Sequence, residues 1–309
     1  VTNDAIALVK KKAGVTSHDV VDIARSKLEV KRIGHAGTLD PFATGLLILG
    51  VGRGTRILEY FKDLKKTYRT RMKLGLITDT YDITGTLAEE RPVKDVSRDL
   101  VEDTLESFVG KYMQVPPAYS ARKYHGERLY RLARQGKIMN LPPREVEIYS
   151  IDLHEFDASK NEVEFTASVS AGTYIRSLVM DIGYKLDTGA TATFLARTEI
   201  GSFSLESAVP VEELTWSACM SLAASTSFIP AVTLHDSAVQ SVLDGSQVSV
   251  PMISEVRNSF SKGQIIRLLD RNNNFIAIAK SDRTSKFTKN LMTKESRERV
   301  ATLVKVLGV

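Results

Sequence analysis

Apolar positions along the chain recur at two spacings, and each predicts its own elements. Val20, Val21, Ala24 and Leu28 fall on one face of a helix over Ser17–Leu28. Thr16 and Asp19 have capping-box spacing at its start, with Asp in place of the usual Glu. The longest apolar run, Leu46 to Leu49, predicts an apolar strand over residues 46–51. Residues 67–74 alternate, with Tyr68, Thr70, Met72 and Leu74 on one side and Arg69, Arg71 and Lys73 on the other. That pattern predicts a strand with an apolar underside and a cationic outer side. A helix over about residues 97–108, closed by Gly110, comes next, and Val163, Phe165, Ala167 and Val169 mark another strand. The chain then turns at Gly172 into a helix carrying Ile175, Val179, Ile182 and Leu186.

Two proline pairs, Pro116-Pro117 and Pro142-Pro143, bracket a basic segment and predict an insertion over about residues 116–143. Within it, residues 127–135 have helical spacing. After about Pro230 the pattern changes. A short helix ends at Gly245, and brief strands follow, including residues 265–269, 275–279 and a last one near 300–307. The predicted organisation is therefore a larger domain over residues 1–230 and a small, mostly β domain over 231–309.

Composition narrows the class. The 309 residues are 43% hydrophobic and 26% charged, ordinary for a globular chain of about two domains. No apolar run approaches the ~18 residues of a membrane span, and no basic-then-apolar leader opens the sequence. The lone Cys219 offers no internal disulfide, which fits a reducing cytoplasm. Net charge is +5, and all of that excess lies in residues 231–309, with 12 Lys+Arg against 7 Asp+Glu. Residues 53–73 hold eight cations, and residues 119–137 hold six, interleaved with Tyr119, Tyr124 and Tyr130. Basic stretches laced with tyrosine point to a polyanion with stackable bases, meaning RNA or single-stranded nucleic acid.

Several chemistries drop out on spacing. The nearest pair of histidines, His18 and His35, is 17 positions apart, so no zinc ligand set appears. Asp79 and Asp82 before Gly85 lack the alternating oxygens of a calcium loop. The glycines at 50, 52 and 54 imitate a dinucleotide fingerprint. Their spacing is one residue short, and cations stand where the ribose-binding acid belongs. The most informative stretch is Gly34-His35-Ala36-Gly37-Thr38-Leu39-Asp40-Pro41-Phe42-Ala43-Thr44-Gly45. Pro41 biases Asp40 toward an extended backbone. Asp40 then either caps a turn or serves as a covalent nucleophile toward an electrophilic carbon.

That loop closely resembles the G-H-x-G-x-L-D-P-x-A-x-G signature of the TruB family of bacterial tRNA pseudouridine-55 synthases. The resemblance covers nearly the whole chain. Lys65-Lys66-Thr67-Tyr68 is similar to the family's K-x-Y strand, and Leu74-Gly75 with residues 78–85 to its next loop. Pro116-Pro117-Ala118-Tyr119-Ser120-Ala121-Arg122-Lys123 resembles the bacterial RNA-gripping insertion. Gly172-Thr173-Tyr174-Ile175-Arg176-Ser177-Leu178 and Leu195-Ala196-Arg197-Thr198 resemble two further blocks. Lys11-Lys12-Ala13-Gly14 departs from the family's K-P-x-G but keeps the cation of Lys11. Residues 231–309 resemble a PUA domain.

The resemblance implies an α+β pseudouridine synthase fold, with a mixed, mainly antiparallel sheet flanked by helices, and a small C-terminal PUA-like β-barrel. It implies Asp40 as nucleophile, Tyr68 stacked on a flipped uracil, and Arg176 paired with the aspartate. Tyr174 and Leu195 resemble pocket walls, and His35 resembles a residue filling the flipped nucleotide's place. Lys11, Arg122, Lys123, Arg128, Arg131 and Arg134 are the cations expected to meet RNA. No metal or organic cofactor is implied. The expected partner is tRNA, through its T-arm and its acceptor stem, with no membrane, guide RNA or obligatory protein partner. The rival expectation is a tRNA-binding or refolding protein with incidental catalysis, although pure binding needs no inward carboxylate.

Overall fold

The computed structural model describes residues 3–117, 123–124, 127–128 and 141–307. The chain forms two compact units. One holds Ala7–Gly50 and Thr55–Ala218; the other holds Cys219 onward, together with the chain's start to Ile6 and Val51–Gly54.

The first unit is organised by a mixed sheet. Its principal strands are β1 (Ala5–Lys11), β2 (Thr44–Val51), β3 (Lys66–Leu74), β4 (Gly110–Gln114), β5 (Arg144–Asp157), β6 (Glu162–Val169) and β7 (Ala190–Ile200), in the order β1-β2-β7-β3-β6-β5-β4. From β7 to β4 every neighbouring pair is antiparallel, while β7 runs parallel to β2. The alternation expected in β3 holds, since Tyr68, Thr70, Met72 and Leu74 are buried. Helices α1 (Ser17–Leu28), α2 (Arg98–Glu106) and α3 (Ile175–Lys185) complete the frame. The predicted capping box of α1 forms: Asp19 N–H donates to Thr16 Oγ1 at 3.1 Å, and Thr16 N–H to Asp19 Oδ2 at 2.7 Å. Ile175, Leu178, Val179 and Ile182 of α3 share one core with Tyr68, Met72, Phe165 and Leu195 of the sheet.

One expectation is refined and one needs correction. The outer face of β3 is cationic as expected, with Arg69 and Arg71 exposed, and the structure adds that both pair with Glu164 on the neighbouring β6. Cross-strand geometry puts that carboxylate between alternate side chains of one strand, a juxtaposition no local pattern reveals. The helix expected over residues 127–135 does not begin at Glu127. Glu127–Arg128 pairs antiparallel with Lys123–Tyr124, and the ladder takes backbone groups that a helix would need. Arg122, Arg131 and Arg134 lie outside the described residues.

The second unit carries a six-stranded sheet in the order Val248–Ser249, Arg299–Val306, Phe275–Ser281, Ile265–Leu269, Ala231–Leu234, Ile253–Val256. Helices α4 (Asp236–Leu243) and α5 (Ser285–Thr293) accompany it. Val232, Leu234, Leu268, Ile276 and Val300 belong to its core. Gly52 and Gly54, two of the glycines that imitate a dinucleotide fingerprint, serve close backbone packing here. A Cβ at Gly52 would sit 2.3 Å from the Asn3 carbonyl oxygen, and one at Gly54 2.3 Å from that of Ala5. Among the described residues, no helix is long and apolar enough to cross a membrane.

Candidate active site

The Gly34-to-Gly45 loop is pinned from several elements at once. Ser17, at the start of α1, accepts the Leu39 N–H on its Oγ at 2.9 Å and faces the Leu39 carbonyl at 3.3 Å. Gly14 N–H donates to the Pro41 carbonyl at 2.8 Å, and Ala43 N–H closes a turn onto the Asp40 carbonyl at 3.1 Å. The Lys11 ammonium, at the end of β1, donates to the carbonyls of Ala43 at 2.6 Å and Pro41 at 3.2 Å. From the other side, Arg197 on β7 donates Nε to the Leu46 carbonyl at 2.9 Å and Nη2 to that of Gly37 at 3.3 Å. Gly45 has φ of +113°, and a Cβ there would sit 2.3 Å from the Arg197 carbonyl oxygen, so only glycine fits. The peptide units around Asp40 are thus set before any ligand arrives.

The Asp40 side chain emerges from this loop onto Arg176. Nε of Arg176 lies 2.8 Å from Oδ2, and Nη2 donates to Oδ1 at 3.2 Å. The guanidinium continues inward, with Nη1 donating to the Thr80 carbonyl at 2.6 Å and lying 3.2 Å from Asp82 Oδ2. Exposure separates the partners. The Arg176 side chain is 4% exposed and Asp82 5%, whereas Asp40 is 34% exposed. A cation in the first turn of a helix faces that helix's unpaired N–H groups and is disfavoured. Two carboxylates and a carbonyl offset this cost and fix the plane of the fork. Asp82 is itself held, since its Oδ1 accepts from Thr84 N–H at 3.0 Å and from Thr84 Oγ1 at 2.5 Å. The outcome is one carboxylate locked inside and one open to an incoming molecule, both on the same arginine.

The other expected residues surround this pair in different ways. Tyr68 and Leu195 are buried in the core cluster that also contains Leu39 and Ala43 of the loop. Tyr174 is half-buried at the N-cap of α3, with no side-chain capping bond. His35 is half-buried, and burial lowers its imidazole pKa, leaving the ring neutral at pH 7. Lys11 is 2% exposed, so its ammonium braces the loop from within. Burial lowers its pKa to about 8, against the attraction of Asp40.

Comparison with known proteins identifies the family. The chain is 47% identical over 308 residues to tRNA pseudouridine synthase B of Thermotoga petrophila, covering 98% of both chains, and equally to that of Thermotoga maritima. Residues 25–175 match the N-terminal domain model of the TruB family pseudouridylate synthases. The chain belongs to the TruB family. Residues 230–299 match the PUA domain model. A chain of a Cbf5–Nop10–Gar1 complex superposes with a TM-score of 0.76 at 26% identity, covering 99% of this chain and 85% of that one. The TruB member described here therefore has the pseudouridine synthase fold followed by a PUA domain, and its family places it among the isomerases.

Three residues at or beside this candidate site are not singled out by the sequence: Asp82, Arg197 and Gln114. Asp82 lies in a stretch that fails as a calcium loop, and Arg197 in a block whose resemblance implies no role for it. Gln114 carried no signal. It ends β4 and belongs to a buried chain of groups. Its Nε2 donates to Tyr112 Oη at 2.5 Å, and Tyr112 Oη in turn faces Asp181 Oδ2 of α3 at 3.4 Å. Burial raises the Asp181 carboxyl to about 6, against the bond from Tyr112, which lowers it.

A carboxyl raised in the folded state stabilises the fold when protonated. That stabilisation is complete below the unfolded value of 3.8 and is lost as pH rises through about 6. Asp181→Asn keeps an acceptor for Tyr112 and never ionises. It is expected to match the wild type at pH 4 and to exceed it by roughly 1–2 kcal/mol at pH 8, after discounting for partial exposure. Urea denaturation at the two pH values checks this. A difference that ignores pH would mean the carboxylate is already well solvated.

Proposed function

We propose that this protein converts the uridine at position 55, in the T-loop of tRNA, to pseudouridine, with Asp40 as the nucleophile. The observation that carries this reading is the Asp40 carboxylate, reachable from outside yet held on a buried guanidinium. The relatives named tRNA pseudouridine synthase B support tRNA as the substrate. In the proposed reaction the carboxylate attacks an electrophilic carbon of a flipped-out uridine, and the N1–C1′ bond breaks. The freed base turns, C5 bonds to C1′, and the bond between Asp40 and carbon breaks with its electron pair returning to the carboxylate; the C5 proton leaves and N1 takes up a proton. Base and sugar are conserved, so no external reagent is consumed. Tyr68 is assigned to stack on the base and receive the C5 proton. Tyr174 and Leu195 line the base's pocket, and His35 supports the space it vacates.

Affinity comes from phosphate contacts, which position RNA without reading its sequence. Lys123, Arg128 and the basic residues around them are assigned to the T-arm, and the PUA domain to the acceptor stem. The bacterial character of the insertion supports action without a guide RNA or a protein partner. Tritium release from a tRNA transcript labelled at uracil C5 tests the assignment. Release is expected from a transcript with uridine at position 55 and absent when cytidine replaces that one residue. Undiminished release from the cytidine transcript would move the target elsewhere.

A further inference from the structure

Resting on the synthase reading above, we propose that Gln114 is a positioning residue for the reaction, acting through Tyr174 on Arg176. Its side chain is 1% exposed and mates with the Tyr174 peptide on both sides. Tyr174 N–H donates to Oε1 at 2.8 Å, while Nε2 donates to the Tyr174 carbonyl at 3.1 Å. The second Nε2 proton goes to Tyr112 Oη. Both donors of the carboxamide and its acceptor are thereby engaged, which permits one orientation of the amide.

The location makes this more than local packing. Tyr174 is the residue from which α3 departs, and it lacks the Ser, Thr, Asp or Asn side chain that commonly fixes a helix start. Gln114, 60 positions away in sequence, instead holds the N-cap residue itself from β4, through its N–H and its carbonyl. A second tie lies beside it, where Ser177 Oγ donates to the Val115 carbonyl at 2.8 Å. Residues 114 and 115 therefore grip α3 at 174 and 177, on either side of Arg176. The guanidinium reaches Asp40 only if this first turn stays in place. A misplacement of about 1 Å at a reacting group costs on the order of a hundredfold in rate.

The test compares wild type, Gln114→Ala and Gln114→Glu in single-turnover tritium release and in filter binding of tRNA, well below each protein's melting temperature. Gln114→Ala is expected to lose roughly tenfold to a hundredfold in rate, with tRNA affinity unchanged within about twofold. Gln114→Glu separates positioning from bulk stability. Protonated, it offers one donor and one acceptor in the amide's place; ionised, it repels the Tyr174 carbonyl. The titratable and charged groups around it are Tyr112, Asp181 beyond the Tyr112 hydroxyl and, on the paired strand, Arg144. Its rate relative to wild type is expected to rise at least about fivefold from pH 8.5 to pH 6, while that of Gln114→Ala stays flat. Wild-type rate in Gln114→Ala, a loss confined to tRNA affinity, or a flat ratio for Gln114→Glu would overturn the assignment. A wild-type protein that releases no tritium would instead overturn the synthase reading on which it rests.

Discussion

Asp40→Asn is expected to abolish pseudouridine formation while tRNA binding stays within about tenfold of wild type. Asparagine keeps the size and one acceptor of the side chain but has no carboxylate oxygen to attack carbon. Removing a covalent nucleophile typically costs on the order of 10⁴- to 10⁶-fold in turnover. Affinity should survive because many phosphate contacts share it and Asp40 supplies none. The fold should survive as well. The loop backbone is held by Ser17, Gly14, Lys11 and Arg197, and Arg176 retains Asp82 and the Thr80 carbonyl. The measurement is single-turnover tritium release beside filter binding, with mass spectrometry excluding deamidation. Turnover by verified Asp40→Asn would remove Asp40 as the nucleophile.

Arg176→Lys is expected to lower turnover by roughly a hundredfold to a thousandfold and to destabilise the catalytic unit by about 2–3 kcal/mol. Charge is kept in this variant; geometry is not. The arginine fork touches Asp40, Asp82 and the Thr80 carbonyl together, at 2.8, 3.2 and 2.6 Å. A single ammonium on a shorter reach cannot span three acceptors. If it settles on the buried Asp82, Asp40 loses the contact that aims it. If it follows Asp40, a carboxylate only 5% exposed is left without its counter-ion. Rates and melting temperatures of Arg176→Lys and Asp82→Asn, measured together, distinguish these cases. Wild-type turnover in Arg176→Lys would show that positive charge alone suffices.

Elements that stabilise themselves locally could be read in advance. The capping box of α1, the alternation of β3 and the apolar face of α3 each involve residues within a few positions of one another. Their spacing therefore carries the signal. The Asp40 loop was legible for a related reason: glycines at fixed positions mark where backbone must approach backbone. The charge excess after residue 230 likewise stood out beside a change to short strands.

Other features depend on contacts between distant segments. The long strand β5 has no single period-2 pattern: its apolar positions run Val146 and Ile148, then Ile151 and Leu153, then Phe156, and its pairing with β6 shifts register at the same two places. Helix α5 is short, and most of its residues are not buried. At the site itself, Arg176 reaches Asp40 across 136 positions, and Arg197 reaches Gly37 across 160. Asp82, Arg197 and Gln114 act through ion pairs and hydrogen bonds to backbone, which demand no particular residue spacing. The sequence presented the aspartate, the tyrosine and the arginine as a set only through the resemblance of their motifs to the TruB family. Folding alone places that arginine between two carboxylates, burying one and leaving the other open, because the difference lies in burial and orientation.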